Sequence, residues 1–149
     1  MSAHTMETES GGFSAEERAA MKARAAELRA EGRKGAKQAD GLQAVLDAIT
    51  TMTAEDRAIA ERLHMTVTAT APDLLPRTWY GMPAYANADG KVVVAFKNAG
   101  KFGQRYSTLE FQDPARLDDG DMWPVSFAIE RWTPAVQEKV TELMAAAVS

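Results

Sequence analysis

The sequence predicts an α+β fold, an antiparallel sheet covered by helices in a two-layer sandwich. Three observations carry that expectation. Helical periodicity dominates the first half of the chain. Several short apolar runs separated by turn residues then follow one another with no helix long enough to cross between parallel strands. A last amphipathic stretch closes the chain. The strands centre on residues 77–96, R-T-W-Y-G-M-P-A-Y-A-N-A-D-G-K-V-V-V-A-F. That stretch holds one of the three Trp, two of the three Tyr and the run Val92-Val93-Val94.

Each element has its own signal. Residues 1–12 lack apolar periodicity and read as a disordered leader. Ser14 and Glu17 form an S-x-x-E capping box that starts a helix running to Glu31, where Gly32 stops it. Its apolar side is thin, with Met21, Ala25 and Leu28, so it buries little and is expected either to be mobile or to pack on the edge of the domain. Residues 33–38 are a basic linker, and residues 13–38 together form a basic arm ahead of the main domain, 39–149. A second helix over 39–49 carries Leu42, Val45, Leu46 and Ile49 at helical spacing. Thr53 caps a third, reaching Thr70, with Ile59, Leu63 and Val67 on its inner stripe; Pro72 and Pro76 end it.

The strand region begins at Thr78–Tyr80. Pro83 suits an edge, a bulge or a strand start. Asn87–Gly90 reads as the turn of a hairpin joining 84–86 to 91–96. Residues 100–103 read as a loop, 106–111 as a strand, 112–124 as an acidic loop and 125–132 as a last strand. Thr133 caps a terminal helix with Pro134 at its first position, and Val136, Val140, Leu143, Met144 and Ala147 form its inner side.

Composition bounds the function. A chain of 149 residues suits one domain. It has no Cys, which excludes disulfides and thiolate metal sites. No secretory signal or apolar run of membrane-spanning length is present, so a cytoplasmic location is expected. The net charge of −4 is uneven, with residues 13–38 at +3 and residues 39–149 at −5. A mildly acidic body argues against a dedicated nucleic-acid binder, and the basic arm mixes in Glu16, Glu17, Glu27 and Glu31 as an ordinary ion-paired helix does.

Three groups of residues are candidates for binding. Trp79, Tyr80, Met82, Pro83 and Tyr85 combine apolar bulk with hydrogen-bonding tips and suit a pocket wall, and equally a core. Lys97, Lys101 and Arg105 form a cationic patch for an anionic group, or a charged strand edge, with Trp123 as a further lining residue. The acidic residues Glu110, Asp113, Asp118, Asp119 and Asp121 offer oxygen ligands for a metal, although Asp118-Asp119-Gly120-Asp121 also makes a solvated turn. The Gly100-Lys101 pair fails as a phosphate loop, since Ala95 and Phe102 stand where Gly and Ser or Thr are required. His64 is a lone helical His, and no nucleophile, base and orienting group assemble, so no enzyme is expected.

The run Tyr80-Gly81-Met82-Pro83-Ala84-Tyr85 resembles the hallmark of the YdhG-like family, small bacterial domains described as frataxin-like intracellular iron chaperones. The resemblance continues through Lys91–Lys97, through Leu117–Gly120 and Met122-Trp123-Pro124, and in the leading helix at Phe13–Arg18. It implies a frataxin-like fold and a non-catalytic domain that binds iron weakly through carboxylates and passes it to an iron-accepting protein. Many members carry a His two residues after the strand-ending Lys; Ala99 stands there in this chain. Glu110, Asp113, Asp118, Asp119 and Asp121 are then the remaining ligand candidates. The alternative is a small anionic or aromatic ligand held by the Trp79–Tyr85 run and the nearby Lys and Arg residues.

Overall fold

The computed structural model describes residues 14–31 and 38–149; the leader and most of the basic linker, with Arg33, Lys34 and Lys37, lie outside the described residues. The chain runs α1 (Ala15–Glu31), α2 (Gln38–Thr50), α3 (Ala54–Thr70), β1 (Leu75–Trp79), β2 (Met82–Ala86), β3 (Val92–Lys97), α4 (Ala99–Phe102), β4 (Ser107–Phe111), β5 (Ser126–Ile129) and α5 (Pro134–Ala147). The five strands form one antiparallel sheet in sequential order, β1-β2-β3-β4-β5. The class is α+β, as the pattern of segregated helices and consecutive strands predicts. Among the described residues no helix is long and apolar enough to cross a membrane.

The helix caps are those read from the sequence. The Ser14 N–H donates to Glu17 Oε1 and the Glu17 N–H to Ser14 Oγ, both at 3.0 Å. Thr53 and Thr133 accept from the N–H groups of Asp56 and Val136, each at 3.2 Å. In the β2–β3 turn, Asn87 Oδ1 accepts from the N–H groups of Asp89 and Lys91, an Asx arrangement closed by Gly90 at positive φ.

One face of the sheet carries the main core. Tyr85, Val94, Phe96, Leu109, Phe111 and Ile129 meet Val45, Ile49, Ile59, Leu63, Val67, Val140 and Met144 from α2, α3 and α5. Register shifts between Tyr85 and Ala86, leaving Val93 as an extra residue, and a bulge there keeps both Val93 and Val94 in that core. The second face holds a smaller cluster of Met82, Ala84 and Ala95, with Trp79, Val92 and Phe102 packed against it.

Four elements differ from the sequence reading. Residues 99–102, expected as loop, form the short helix α4, which Gly103 ends in the left-handed conformation. Strand β1 starts at Leu75 and takes in Pro76, which an edge strand tolerates because one side of it needs no ladder hydrogen bond. On helix α1 two of the expected inner residues, Met21 and Ala25, do not face inward, and the side chain of the third, Leu28, lies outside the described residues. Met21 and Ala25 are exposed, while Ala20 is buried and Ala23, Arg24 and Glu27 are half-buried. Over the described part of the helix, small side chains allow close approach and the Glu27 carboxylate supplies a contact. Likewise α2 buries Val45 and Ile49 but leaves Leu42 and Leu46 at the surface.

Helix α2 crosses β1 so closely that a Cβ built on Gly41 would collide with the Pro76 carbonyl oxygen. Backbone cannot yield as a side-chain tip does. Gly41→Ala is therefore expected to destabilise the protein by ~1–2 kcal/mol, overpacking outweighing the helix-propensity gain of ~1 kcal/mol. Urea denaturation checks this; an unchanged or raised midpoint contradicts the packing.

Candidate functional site

The β1–β2 turn is the centre of the site. Trp79 pairs with Met82, which leaves only Tyr80 and Gly81 between the strands. Both have positive φ, 55° and 78°, the pattern of a type I′ hairpin turn. Among the described residues Tyr80 is the only non-glycine with positive φ, and a bulky residue held there stores strain of roughly 1–2 kcal/mol.

Helix α1 supplies the partner of that turn. The Tyr80 N–H donates to Glu27 Oε1 at 2.9 Å and the Gly81 N–H to Oε2 at 3.1 Å. Arg24 Nη1 lies 3.6 Å from Glu27 Oε1, and the Arg24 guanidinium sits 5.6 Å from the centre of the Tyr80 ring. The Trp79 ring meets Tyr80 edge-on at 5.0 Å. Lys101, on α4, brings its ammonium against Gly81. Arg77 lies opposite Ala84 and so shares the face of the smaller cluster. Burial lowers the Lys101 pKa from its ordinary value, and Glu27 opposes that shift. Burial, then the like charge of Arg24, lowers Arg77, again against Glu27.

The cationic strip continues along the same face. The Lys97 and Lys101 ammonium groups lie 5.0 and 5.7 Å from the centre of the Phe102 ring, within cation–π range. Beyond Phe102, Lys97 and Arg105 line an open cleft of about 350 Å³ with Gln104, Tyr106, Thr108 and Glu110. Arg105 stacks 5.0 Å from the Tyr106 ring centre, and Thr108 Oγ1 donates to Glu110 Oε2 at 2.9 Å.

The aromatic run divides between the two faces. Trp79 and Met82 belong to the smaller cluster, and Tyr80 is at the surface. Pro83 and Tyr85 are fully buried on the opposite side, away from the cationic strip. The Tyr85 hydroxyl is 2.8 Å from His64 Nδ1, and burial pushes the phenol well above its ordinary pKa. Trp123 is half-buried in the loop between β4 and β5 and does not line the Lys97–Arg105 cleft.

The acidic candidates are dispersed. Glu110 is in the cationic cleft, whereas Asp113, Asp118, Asp119 and Asp121 are exposed on the following loop. Among the described residues no three His, Asp or Glu side chains come together as a metal ion would require.

Sequence reasoning missed Glu27 and Arg24 as partners of the turn. Nothing local distinguishes Glu27 from the other acids of α1, because its two acceptor bonds are to residues more than fifty positions away. It also missed Asp56, whose buried carboxylate accepts the Gly100 N–H at 2.8 Å and Asn98 Nδ2 at 3.3 Å. A larger cleft of about 680 Å³, beside the start of α5, is lined in part by Arg62, Trp132, Pro134 and Gln137. Its residues carry no sequence motif.

His64 offers a direct test of the interior. Burial lowers its pKa below the ordinary 6.5, so the folded state favours the neutral ring. As pH falls through that ordinary value, the unfolded chain takes up a proton before the folded chain does. Stability is then lost with falling pH until the folded pKa is passed. Thermal midpoints measured from about pH 7.5 to 5.5 should fall in the wild type, and His64→Gln should flatten part of that slope. Identical slopes in the two proteins contradict the assignment.

No protein-family model, curated protein or solved structure matches this chain.

Proposed function

We propose that this chain is a YdhG-like domain with a frataxin-like arrangement, acting as a non-catalytic binding module for a small anionic organic ligand. The observation that supports the reading is the meeting of Lys97 and Arg105, eight residues apart in sequence, in one cleft of small-molecule size. The cleft also offers Glu110 and Thr108 to accept hydrogen bonds from ligand hydroxyls, and the Tyr106 ring as an apolar wall. Its cations sit on a folded strand and the loop after α4, and the Arg105 guanidinium already rests on the Tyr106 ring, which lowers the ordering that binding must impose on it.

The ferrous-iron reading is the second one and rests on the family resemblance. It lacks a converging ligand set among the described residues, so a metal held there would be bound by single exposed carboxylates and water. Anaerobic calorimetry with ferrous iron tests it, and heats no greater than dilution remove it.

For the anion reading, calorimetric titration with citrate and with inorganic phosphate is the measurement, run against sodium chloride at equal ionic strength. Saturable binding of citrate is expected. The double substitution Lys97→Ala with Arg105→Ala should weaken it by at least about tenfold, since each charge-assisted hydrogen bond contributes ~1.5–3 kcal/mol. Equal binding by wild type and the double variant, or none beyond the chloride control, would sink the proposal.

A further inference from the structure

The turn between β1 and β2 has the construction of a carboxylate receptor. Two consecutive backbone N–H groups converge on one planar group and bind one oxygen each, Tyr80 on Oε1 and Gly81 on Oε2 of Glu27. Consecutive N–H groups turned to one side make an anion-binding nest. Cations flank it: Arg24 touches the carboxylate, and Lys101 and Arg77 both feel its charge. Gly81 leaves the room that brings the Lys101 ammonium to the turn, since a Cβ there would strike it.

The occupant of this nest is carried on a helix whose described inward side is mostly small. The inward side of α1 offers Ala20 and Ala23 with Arg24 and Glu27, while Met21 faces solvent. Burying methyl groups of that size contributes only about 1 kcal/mol apiece, so the carboxylate is a substantial part of what these described residues give to the docking of the helix. A hairpin turn of this type closes through its strand pairs and needs no acid. It nonetheless keeps a Tyr in a strained left-handed conformation, and strain of this kind accompanies sites of binding.

We propose that the Tyr80–Gly81 turn is a binding site for the carboxylate of a small organic acid, that Glu27 is its resident occupant, and that the bound acid displaces α1. The site shares neither Lys97 nor Arg105 with the cleft described above and stands independently of it. The acid's carboxylate replaces Glu27 on the same two N–H groups, with Lys101 beside it. Lys101 and Arg77 both feel the charge of Glu27, so a carboxylate in its place meets the same two cations. Glu27, being part of the chain, competes at an effective concentration of order millimolar, which sets the threshold a ligand must exceed.

The test is amide NMR on the full chain, wild type and Glu27→Ala, titrated with sodium acetate and, separately, sodium phosphate, each against sodium chloride at matched ionic strength. Acetate should shift the Tyr80 and Gly81 amides saturably, with an affinity at least about tenfold tighter in Glu27→Ala than in wild type. Adding Lys101→Ala should weaken it again. In wild type, saturating acetate should speed hydrogen exchange across α1. Should Glu27→Ala not fold, Glu27→Gln keeps the side-chain bulk and gives the same comparison. The proposal is overturned if acetate moves neither amide saturably in the open variant, or if wild type and variant bind acetate equally. Saturation by phosphate but not acetate overturns the carboxylate class.

Discussion

Strand β2 is buried along its whole length, and the rest of the fold answers that constraint. Every residue from Met82 to Ala86 is shielded from solvent, so both faces of the sheet must be covered where β2 runs. On one face α2, α3 and α5 do this with branched and aromatic side chains around Tyr85. On the other, Met82 and Ala84 are small or flexible, and Trp79, Val92 and Phe102 close over them. Helix α1 then stands at the end of that second face, where a carboxylate meets the turn. The architecture is therefore a sheet with one heavily packed face and one lightly covered face. The cationic strip lies on the lightly covered one.

The buried polar groups show how these parts are kept in register. Asp56 is only 6% exposed, and a buried carboxylate is costly unless it is hydrogen-bonded. Its acceptor bonds from Gly100 and Asn98 tie the first turn of α3 to α4, and Ser107 Oγ accepts the Ala99 N–H at 3.0 Å beside them. Gly100 has no side chain because Asp56 Oδ2 would lie 2.9 Å from its Cβ. Thus the short helix that carries Lys101 and Phe102 is fixed from the main-core side. On the same side, the His64–Tyr85 contact satisfies a phenol that hydrocarbon surrounds.

Much of the secondary structure was legible because it is local chemistry. The Ser14–Glu17 capping box, the Thr N-caps, the Pro134 start of α5 and the Asn87–Gly90 turn depend on residues a few positions apart. The stripe Ile59, Leu63, Val67 pointed inward as its period requires. The site was legible only in part. Lys97 and Arg105 could be named as cations, yet their shared cleft depends on β3 pairing with β4. Tyr80 to Tyr85 could be named as a run, yet alternation along β2 sends Tyr85 and Met82 to opposite faces. The acidic residues looked clustered in sequence, but an extended loop spreads consecutive carboxylates instead of converging them.

The amino-acid sequence by itself determined the α+β class, the order of the elements apart from α4, the helix caps and the Asn87–Gly90 turn. All of these follow from propensity, periodicity and short-range hydrogen bonding. Only the tertiary structure decided which side of α1 faces inward, that Glu27 occupies the turn, and that Asp56 is buried under α4. Those outcomes depend on pairs of groups fifty or forty residues apart. Side chains so far apart in the chain leave no local pattern, because what selects them is the position of backbone N–H groups once the sheet has formed.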